Sequence, residues 1–386
     1  MSFLTRKRAI LSKIETTYGV DSVPTGGADA ILMSNLTVSP METTLVQRQN
    51  IKSYMGNNPS VLAAIYAKVS FEVELAGSGA AGTPPPYNDL LRACGLSETI
   101  LAAPLTGTST AGSAGSMTLA AGASAVDGAY AGMTINITGG TGAGQSGVVA
   151  SYVGLTKVAT LTAPFGVLTD ATSVYTVPAQ VIYKPVSAGF ESTTIYCNVD
   201  GIRHILMGAR GTVALKAGVQ TIPMLTFAFT GMYVTPTDVP IPAVTLTAFM
   251  QPLAVNNINT SGLVIAGYAG GVASDFSVDF ANTVVFRSLV GGTESVVLTD
   301  RKPAGSLTFE ATTVAAKDWW STVKNVQLGV FSILHGTVPG NKVKIDGPSM
   351  QLTTPTYADK DGITMLTVKA DFIPVNGNDE LILSFQ

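Results

Sequence analysis

The nine residues Ala67-Lys68-Val69-Ser70-Phe71-Glu72-Val73-Glu74-Leu75 alternate without a fault. Val69, Phe71, Val73 and Leu75 point one way, and Lys68, Ser70, Glu72 and Glu74 the other. That two-residue period is the mark of a half-buried strand. The same pattern returns downstream. Leu307, Phe309 and Ala311 alternate with Ser306, Thr308, Glu310 and Thr312. Phe276, Val278 and Phe280 alternate with Asp275, Ser277 and Asp279, and Leu381, Leu383 and Phe385 close the chain. The spacing therefore predicts a mainly β protein.

Two short helices interrupt the strands. Pro84-Pro85-Pro86 precedes Tyr87, Leu90, Leu91 and Cys94, spaced i, i+3, i+4, i+7, with Gly95 as the stop. Lys317-Asp318 precedes Trp319, Val323 and Val326, with Gly329 as the stop. Proline or a capping residue before a helix and glycine after it is the usual punctuation.

These elements occur twice in the same order. Asn35-Leu36-Thr37-Val38 matches Asp275-Phe276-Ser277-Val278 at an offset of 240, Gln47-Arg48 matches Phe286-Arg287 at 239, and Phe71-Glu72 matches Phe309-Glu310 at 238. Past the helix, Val199-Asp200-Gly201 matches Ile345-Asp346-Gly347 at 146, and Leu225-Thr226 matches Leu366-Thr367 at 141. Five ordered matches point to a tandem duplication. The fall in offset from 238 to 146 places 92 extra residues in the first half, between about Gly95 and Tyr196. Two unrelated β domains of similar composition are the alternative.

The extra segment has a composition of its own. From Leu105 to Val177 it holds one Lys, no Arg, no Glu, and two Asp, Asp127 and Asp170. Strand-like pieces at Met133–Thr138, Val148–Val153, Lys157–Leu161 and Val174–Val177 are separated by turn residues. The expectation is an inserted all-β module, with Ser109–Ser116 as a flexible link. The expected organisation is an N-terminal arm at 1–25, a first repeat split over 26–103 and 178–245, the module at 104–177, and a second repeat at 246–386.

Composition limits the function classes. The chain has 386 residues, 46% of them hydrophobic and only 12% charged, about half the usual charged fraction. Its mean hydropathy is +0.36. Such a chain suits a subunit largely covered by copies of itself. With 22 basic and 25 acidic residues the net charge is −3, and the pI is about 5.4, unlike a protein that grips nucleic acid. The one basic cluster is Arg6, Lys7, Arg8 and Lys13. The apolar stretch after it is too short for a signal peptide, and no run reaches the length of a membrane span. A soluble subunit made in the cytoplasm is expected. Cys94 and Cys197 alone form no disulfide framework.

Candidate chemistry is sparse. Gly142-Ala143-Gly144-Gln145-Ser146-Gly147 fits GxGxxG, but a strand-like Val148–Val153 follows where a dinucleotide site needs a helix, so a glycine-rich turn is expected. His204 and His335 are the only histidines, and neither has a flanking acid-and-nucleophile pattern. Asp359–Gly362 and Asn376–Glu380 resemble fragments of calcium loops without a closing Glu; both are expected as hairpin turns. No catalytic residue, cofactor or metal is expected, and the chain is not expected to be an enzyme.

The stretch Lys13-Ile14-Glu15-Thr16-Thr17-Tyr18-Gly19-Val20-Asp21, continuing through Ala30-Ile31-Leu32 and Asn35-Leu36-Thr37, resembles the start of tail tube (major tail) proteins of long-tailed siphophages, in particular the transposable Pseudomonas siphophages. Asp275–Phe280, Arg301–Ser306, Pro355–Gly362 and Asn376–Glu380 resemble their C-terminal part. The inserted segment, with Ala120–Ala123 and Ile137–Gly147, is similar to small β modules of phage virion proteins. The resemblance implies β-sandwich or half-barrel domains, each with a flanking helix. Their inner strands would join into one barrel around a channel for the genome. It also implies a virion tail location and stacked rings. With two domains per chain, a ring needs three copies with pseudo-sixfold symmetry. Other tail proteins (tape measure, terminator, distal tail) are implied partners, and DNA is a transient one in the lumen. Within this frame Glu72, Glu74 and Glu310 are expected to line the lumen, and Arg6, Lys7, Arg8 and Lys13 to reach an adjacent ring. A capsid decoration or adhesin-like virion protein, and the tube of a contractile tail or secretion machine, are the competing readings.

Overall fold

A computed structural model describes residues 4–386 and shows 26 strands and two short helices. The chain opens with β1 (Arg8–Ile14), β2 (Ala30–Ile31), β3 (Ser34–Gln47), β4 (Ser60–Glu74), α1 (Asn88–Ala93) and β5 (Leu96–Leu101). Then come β6 (Leu105–Thr108), β7 (Ala111–Gly112), β8 (Ser116–Thr118), β9 (Thr134–Gly139), β10 (Ser146–Val153), β11 (Val158–Leu161) and β12 (Val174–Val177). β13 (Gln180–Pro185), β14 (Thr193–Val199), β15 (Ile202–Gly218), β16 (Met224–Tyr233) and β17 (Thr237–Asp238) follow. The last part holds β18 (Thr260–Val264), β19 (Ala273–Asp279), β20 (Asn282–Arg287), β21 (Ser295–Arg301), β22 (Ala304–Glu310), α2 (Trp319–Lys324), β23 (Leu328–His335), β24 (Val343–Lys360), β25 (Ile363–Phe372) and β26 (Ile382–Phe385).

Two strand series have the same pairing order. In the first, β1 pairs with β14, β14 with β15, β15 with β16, β16 with β4, and β4 with β3. In the second, β18 pairs with β23, β23 with β24, β24 with β25, β25 with β22, and β22 with β19. Every one of these pairings is antiparallel. Along the chain each series bears a helix after the matching strand, α1 after β4 and α2 after β22. The helices form where the proline and aspartate signals fall. Tyr87 and Cys94 flank α1, and Gly95 leaves it at φ +74°. The Asp318 side chain accepts the Ser321 N–H at 2.8 Å and caps α2. The exit from α2 differs from expectation: Val326, at φ +53°, ends it, and Gly329 lies inside β23.

The match between Val199-Asp200-Gly201 and Ile345-Asp346-Gly347 is corrected. Asp200 and Gly201, both at positive φ, make the tight turn from β14 to β15. Asp346 is buried inside β24, accepting from Ser332 and paired with Lys344 at 3.0 Å. The strands that take equivalent places, β15 and β24, begin 141 residues apart, the offset of Leu225 and Leu366. That offset differs by five from the 146 of the Asp-Gly match.

The extra length contains a seven-stranded sheet, β6 to β12, whose strands pair only with one another. Its buried core includes Met133, Ile135, Val149, Tyr152 and Tyr175, and it abuts Ile182 and Ile382 of the main body. Strands β5 and β13 pair along their full lengths and carry the chain out to this module and back. Ser109–Ser116 is a hairpin rather than a flexible link. Ser109 is buried and its hydroxyl donates to Ala111 O, while β7 pairs with β8. The GxGxxG stretch is a turn leading into β10, with Gly142 and Gly144 at positive φ.

One large core unites the two series. Phe71, Phe227 and Phe229 pack ring on ring with centroids 5.8–6.3 Å apart, and Phe309 lies 4.7 Å from Trp319 in the second series. The junction is also polar: Asn282, after β19, donates to Cys94 O at the end of α1 and to Gly211 O. Phe227 is fully buried. Phe227→Ala should cost about 3–5 kcal/mol of stability, read as a lower urea midpoint with the circular-dichroism spectrum of the folded state retained.

Candidate functional site

The feature that stands apart from ordinary domain packing is a continuous sheet running through both series. β15 is 17 residues long. Its first half pairs with β14, and its last residues, Ala214–Gly218, pair with β19. The order β3-β4-β16-β15-β19-β22-β25-β24 is therefore one unbroken antiparallel ladder of eight strands. One face carries the core residues Val69, Phe71, Leu225, Phe227, Val213, Leu215, Val278 and Leu307. The other face, by the pleat, carries polar side chains.

Glu72, Glu74 and Glu310 all fall on that polar face. Glu72 stands opposite Thr226, Glu74 opposite Met224, and Glu310 opposite Met365. Glu72 accepts from Asn35. Asp275, Asp279 and Asp371 share the face, spaced by Thr226, Ala214, Ser277 and Ser306. Four lysines stand there too: Lys68, Lys216, Lys360 and Lys369. The face is polar with an acidic excess, but it is not free of basic groups. Sequence spacing alone placed the glutamates and Lys68 on this face and missed Lys216, Lys360 and Lys369 as their neighbours.

Both ends of the ladder are open. Among the described residues β3 pairs with β4 alone; on its other side the Arg8 guanidinium donates to Leu36 O at 3.2 Å. Among the described residues the distal part of β24, beyond its pairing with β23, pairs with β25 alone, with Trp320 of α2 against its Tyr357. Unpaired edges present rows of N–H and C=O groups that invite another strand.

Two hairpins project from the ladder, and sequence reasoning did not single them out. β3 shifts register between Ser39 and Glu42. At the matching place in the second series the strand breaks after Asp279, and β20 pairs separately with β21. The distal arm of the first hairpin exposes Met41, Leu45, Val46, Val61 and Leu62, and its tip exposes Ile51 (100%), Tyr54 and Met55 (99%). Leu289 and Val290 are exposed at the second tip. The hairpins touch: Tyr66 stacks on Phe286 at 5.0 Å. Exposed side chains of this kind on adjoining hairpins mark an interaction surface.

The basic N-terminal group is not brought together, and the arm at 1–25 is corrected. Residues 1–3 lie outside the described residues. Arg6 is exposed, and Lys7 is 3.7 Å from Asp200. Arg8 and Lys13 belong to β1, which lies between β14 and β2 in its own chain's sheet. Ile10 and Leu11 are buried there. The segment after β1 is fastened as well. The buried Glu15 carboxylate accepts from Gly19 N, Gly208 N, Ser192 Oγ and Thr194 Oγ1 at 2.6–2.9 Å. Arg210 lies 4.7 Å over the Tyr18 ring, and Tyr18 Oη accepts the Val296 N–H. Four hydrogen bonds satisfy that buried carboxylate, and Arg210 is the cation nearby.

The remaining candidates have structural surroundings. His335 bonds Thr260 Oγ1 at 2.9 Å and Leu253 O at 3.1 Å, and burial lowers its pKa. Burial lowers that of His204 too. Asp361 (φ +55°) and Gly362 (φ +80°) form the two-residue turn between β24 and β25, the geometry of a type I′ hairpin. Asn376–Glu380 is not a hairpin turn, because β25 and β26 do not pair; Asp379 accepts from Val375 N and Asn376 N, and Glu380 pairs with Arg301. Among the described residues no three His, Cys, Asp or Glu side chains converge as metal ligands, and no helix is long and apolar enough to cross a membrane. Both cysteines are buried, which raises both thiol pKa values, that of Cys197 to about 12. No protein-family model matches the chain, and no curated protein matches it.

The placement of β1 has a measurable consequence. Ile10→Ala should destabilise the chain by about 2–5 kcal/mol, whereas Arg6→Ala should change stability by no more than about 0.5 kcal/mol. Equal effects of the two in urea melts would mean that β1 is peripheral.

Proposed function

We propose that this chain is a structural subunit of a phage tail tube, polymerising as stacked rings around a channel through which the genome passes. The observation that carries the reading is the eight-stranded ladder with an apolar face, a polar face and two open ends. An open ladder of this kind is stable in water when its ends are satisfied, and closing it on itself leaves no edge. The apolar face is already covered by the chain's own outer strands and helices. The polar face, outside the end that the β20–β21 hairpin covers through Tyr66–Phe286 and Arg210–Val296 O, is the one left to look into a lumen.

The shared strand order of the two series favours a tandem duplication. Two equivalent four-strand sets per chain then make three copies a pseudo-sixfold ring. With strands about 4.8 Å apart, three such ladders give a circumference of roughly 115 Å and a backbone diameter of about 37 Å before strand tilt. That leaves room for a DNA duplex. Glu72, Glu74, Glu310 and the neighbouring aspartates keep phosphates from settling on the wall, because strong binding requires many lysine or arginine contacts that release counterions. The interspersed lysines are each close to an acidic or polar neighbour, so they do not form a basic stripe.

The projecting hairpins supply the contact between rings in this reading, in place of an N-terminal arm. Ile51, Tyr54, Met55, Leu289 and Val290 are exposed in the single chain and would be covered by the next ring. The module built of β6–β12 would decorate the outer wall, since it hangs from the β5–β13 ribbon rather than from the polar face.

Negative-stain microscopy of the purified chain should show rings or tubes, with class averages of three copies that look sixfold at low resolution. A protein that stays monomeric at high concentration sinks this reading. Ile51→Asp combined with Met55→Asp should leave the melting temperature unchanged and stop growth at single rings. Converting Glu72, Glu74 and Glu310 together to Lys should leave tubes intact and slow DNA ejection, by several-fold at low salt and less at high salt; unchanged ejection would remove these residues from the lumen.

A further inference from the structure

The module sits on the main body over a cavity that neither of them fills. The roof is Ser146–Val148 at the start of β10 and Thr162–Phe165 after β11. The floor is one face of β18, β23, β24 and β26, opposite the side that sends Ile333 and Ile345 into the main core. A row of directly opposed residues crosses this floor. Val264 stands beside Ser332, Ser332 beside Asp346, and Asp346 beside Ile382. Lys344, two residues before Asp346 on the same strand, shares the face and lines the cavity. The volume is about 200 Å³, below the roughly 300–1,000 Å³ of sites for drug-sized ligands, so the occupant must be small.

The floor carries charges that the chain itself uses only in part. The Lys344 and Asp346 side chains are 15% and 6% exposed, with Nζ 3.0 Å from Oδ2. Asp346 Oδ1 accepts from Ser332 Oγ at 2.7 Å. Oδ2 is buried and accepts no hydrogen bond, since the ammonium beside it is out of line. An ammonium has three donors, and Asp346 is the one ion-pair partner of Lys344 among the described residues. The module's own hydrogen bonds to the body go to Gln180, Lys184 and Gln386 instead. Burying two charges is costly unless their remaining donors and acceptors are satisfied. The walls around the pair are apolar, with Val148, Pro164, Phe165, Val264, Val330 and Ile382. We propose that this seam binds a small apolar zwitterion, an α-amino acid with a short branched side chain. Its carboxylate takes the spare donors of Lys344 Nζ, its ammonium donates to Asp346 Oδ2, and its hydrocarbon lies against Phe165 and Ile382. A ligand with a single charge would satisfy one member of the pair and leave the other short. A zwitterion satisfies both and leaves the seam neutral. Seams between domains are a usual place for such sites.

Equilibrium dialysis of the full chain with radiolabelled L-valine tests the site, with isovalerate and isobutylamine as competitors. Both competitors keep the branched hydrocarbon; isovalerate lacks the ammonium and isobutylamine lacks the carboxylate. The chain should retain the label, and each competitor should displace it about tenfold less well than unlabelled valine, the loss of one buried charged hydrogen bond. Lys344→Met combined with Asp346→Leu replaces the pair by apolar groups, a change that buried ion pairs tolerate. It should keep the urea midpoint and lower valine affinity about tenfold or more. Ala163→Trp, on the exposed side of the roof, should block valine and leave the pair untouched, so it reads the site even if the double variant folds poorly. No retention by the unaltered chain at millimolar valine would mean that water alone fills the cavity and would overturn the site. Retention unchanged in both variants would put valine elsewhere and overturn it equally. Isovalerate competing as well as valine would remove Asp346 from the contact and overturn the choice of a zwitterion. Binding needs only one chain, so the result does not depend on whether chains polymerise.

Discussion

The handover of β15 from one partner to another is the constraint on which the rest of this structure depends. A strand that paired with β14 along its whole length would close the first series on itself, as a self-contained sandwich. β15 instead bulges between Met207 and Arg210 and offers its last residues to β19. Bulges bend a strand and increase its twist, which lets one strand serve two sheets. The apolar residues Val213, Leu215 and Ala217 then belong to a core that crosses from one series to the other. The two series form one cooperative body for this reason, and the ladder has ends to offer beyond it.

Much of this architecture was legible in the sequence because its signals are local. Strict alternation placed β4, β19 and β22. Proline and aspartate placed the starts of both helices, and a charge-poor, glycine-rich composition set off the module. What was not legible depended on partners far away in the chain. Ala9-Ile10-Leu11-Ser12 does not alternate, because all four are buried between neighbouring strands and across both faces of the sheet; a stretch without a period is hard to tell from a tail. Val199-Asp200-Gly201 and Ile345-Asp346-Gly347 share letters but not places, since a turn and a buried ion-paired strand can both use Asp-Gly. Ser109–Ser116 has the composition of a linker, yet Ser109 finds backbone carbonyls to satisfy its hydroxyl.

The surface candidates were legible only in part for a similar reason. Period two fixes which face Glu72, Glu74 and Glu310 occupy, but not which residues lie beside them on other strands. Those neighbours depend on register, and register is set by the bulges and the turns. Lys216, Lys360 and Lys369 joined Lys68 on the polar face through that route. The hydrophobic hairpin tips escaped notice because Ile51, Tyr54 and Met55 show no period at all; only their protrusion gives them meaning.

The low charge of the chain gains a physical explanation from the same geometry. A monomer with 12% charged residues and exposed apolar tips is a poor candidate for life as an isolated globule, since apolar surface left in water is unfavourable at about 25 cal/mol per Å². Edge strands in such globules are usually protected by charges, prolines or bulges. Here β3 has one proline, Pro40, placed at its kink rather than along the Asn35–Ser39 stretch, and the Arg8 side chain donates to Leu36 O there. The Thr356–Lys360 edge has charges only at its last two positions, next to the turn. Both strands also carry bulges, at Ser34/Thr37 and Ser39/Glu42 of β3 and at Thr353/Thr356 of β24, so each edge is guarded by its twist more than by its charge, which is how a chain this poor in charge can leave two strand edges facing water.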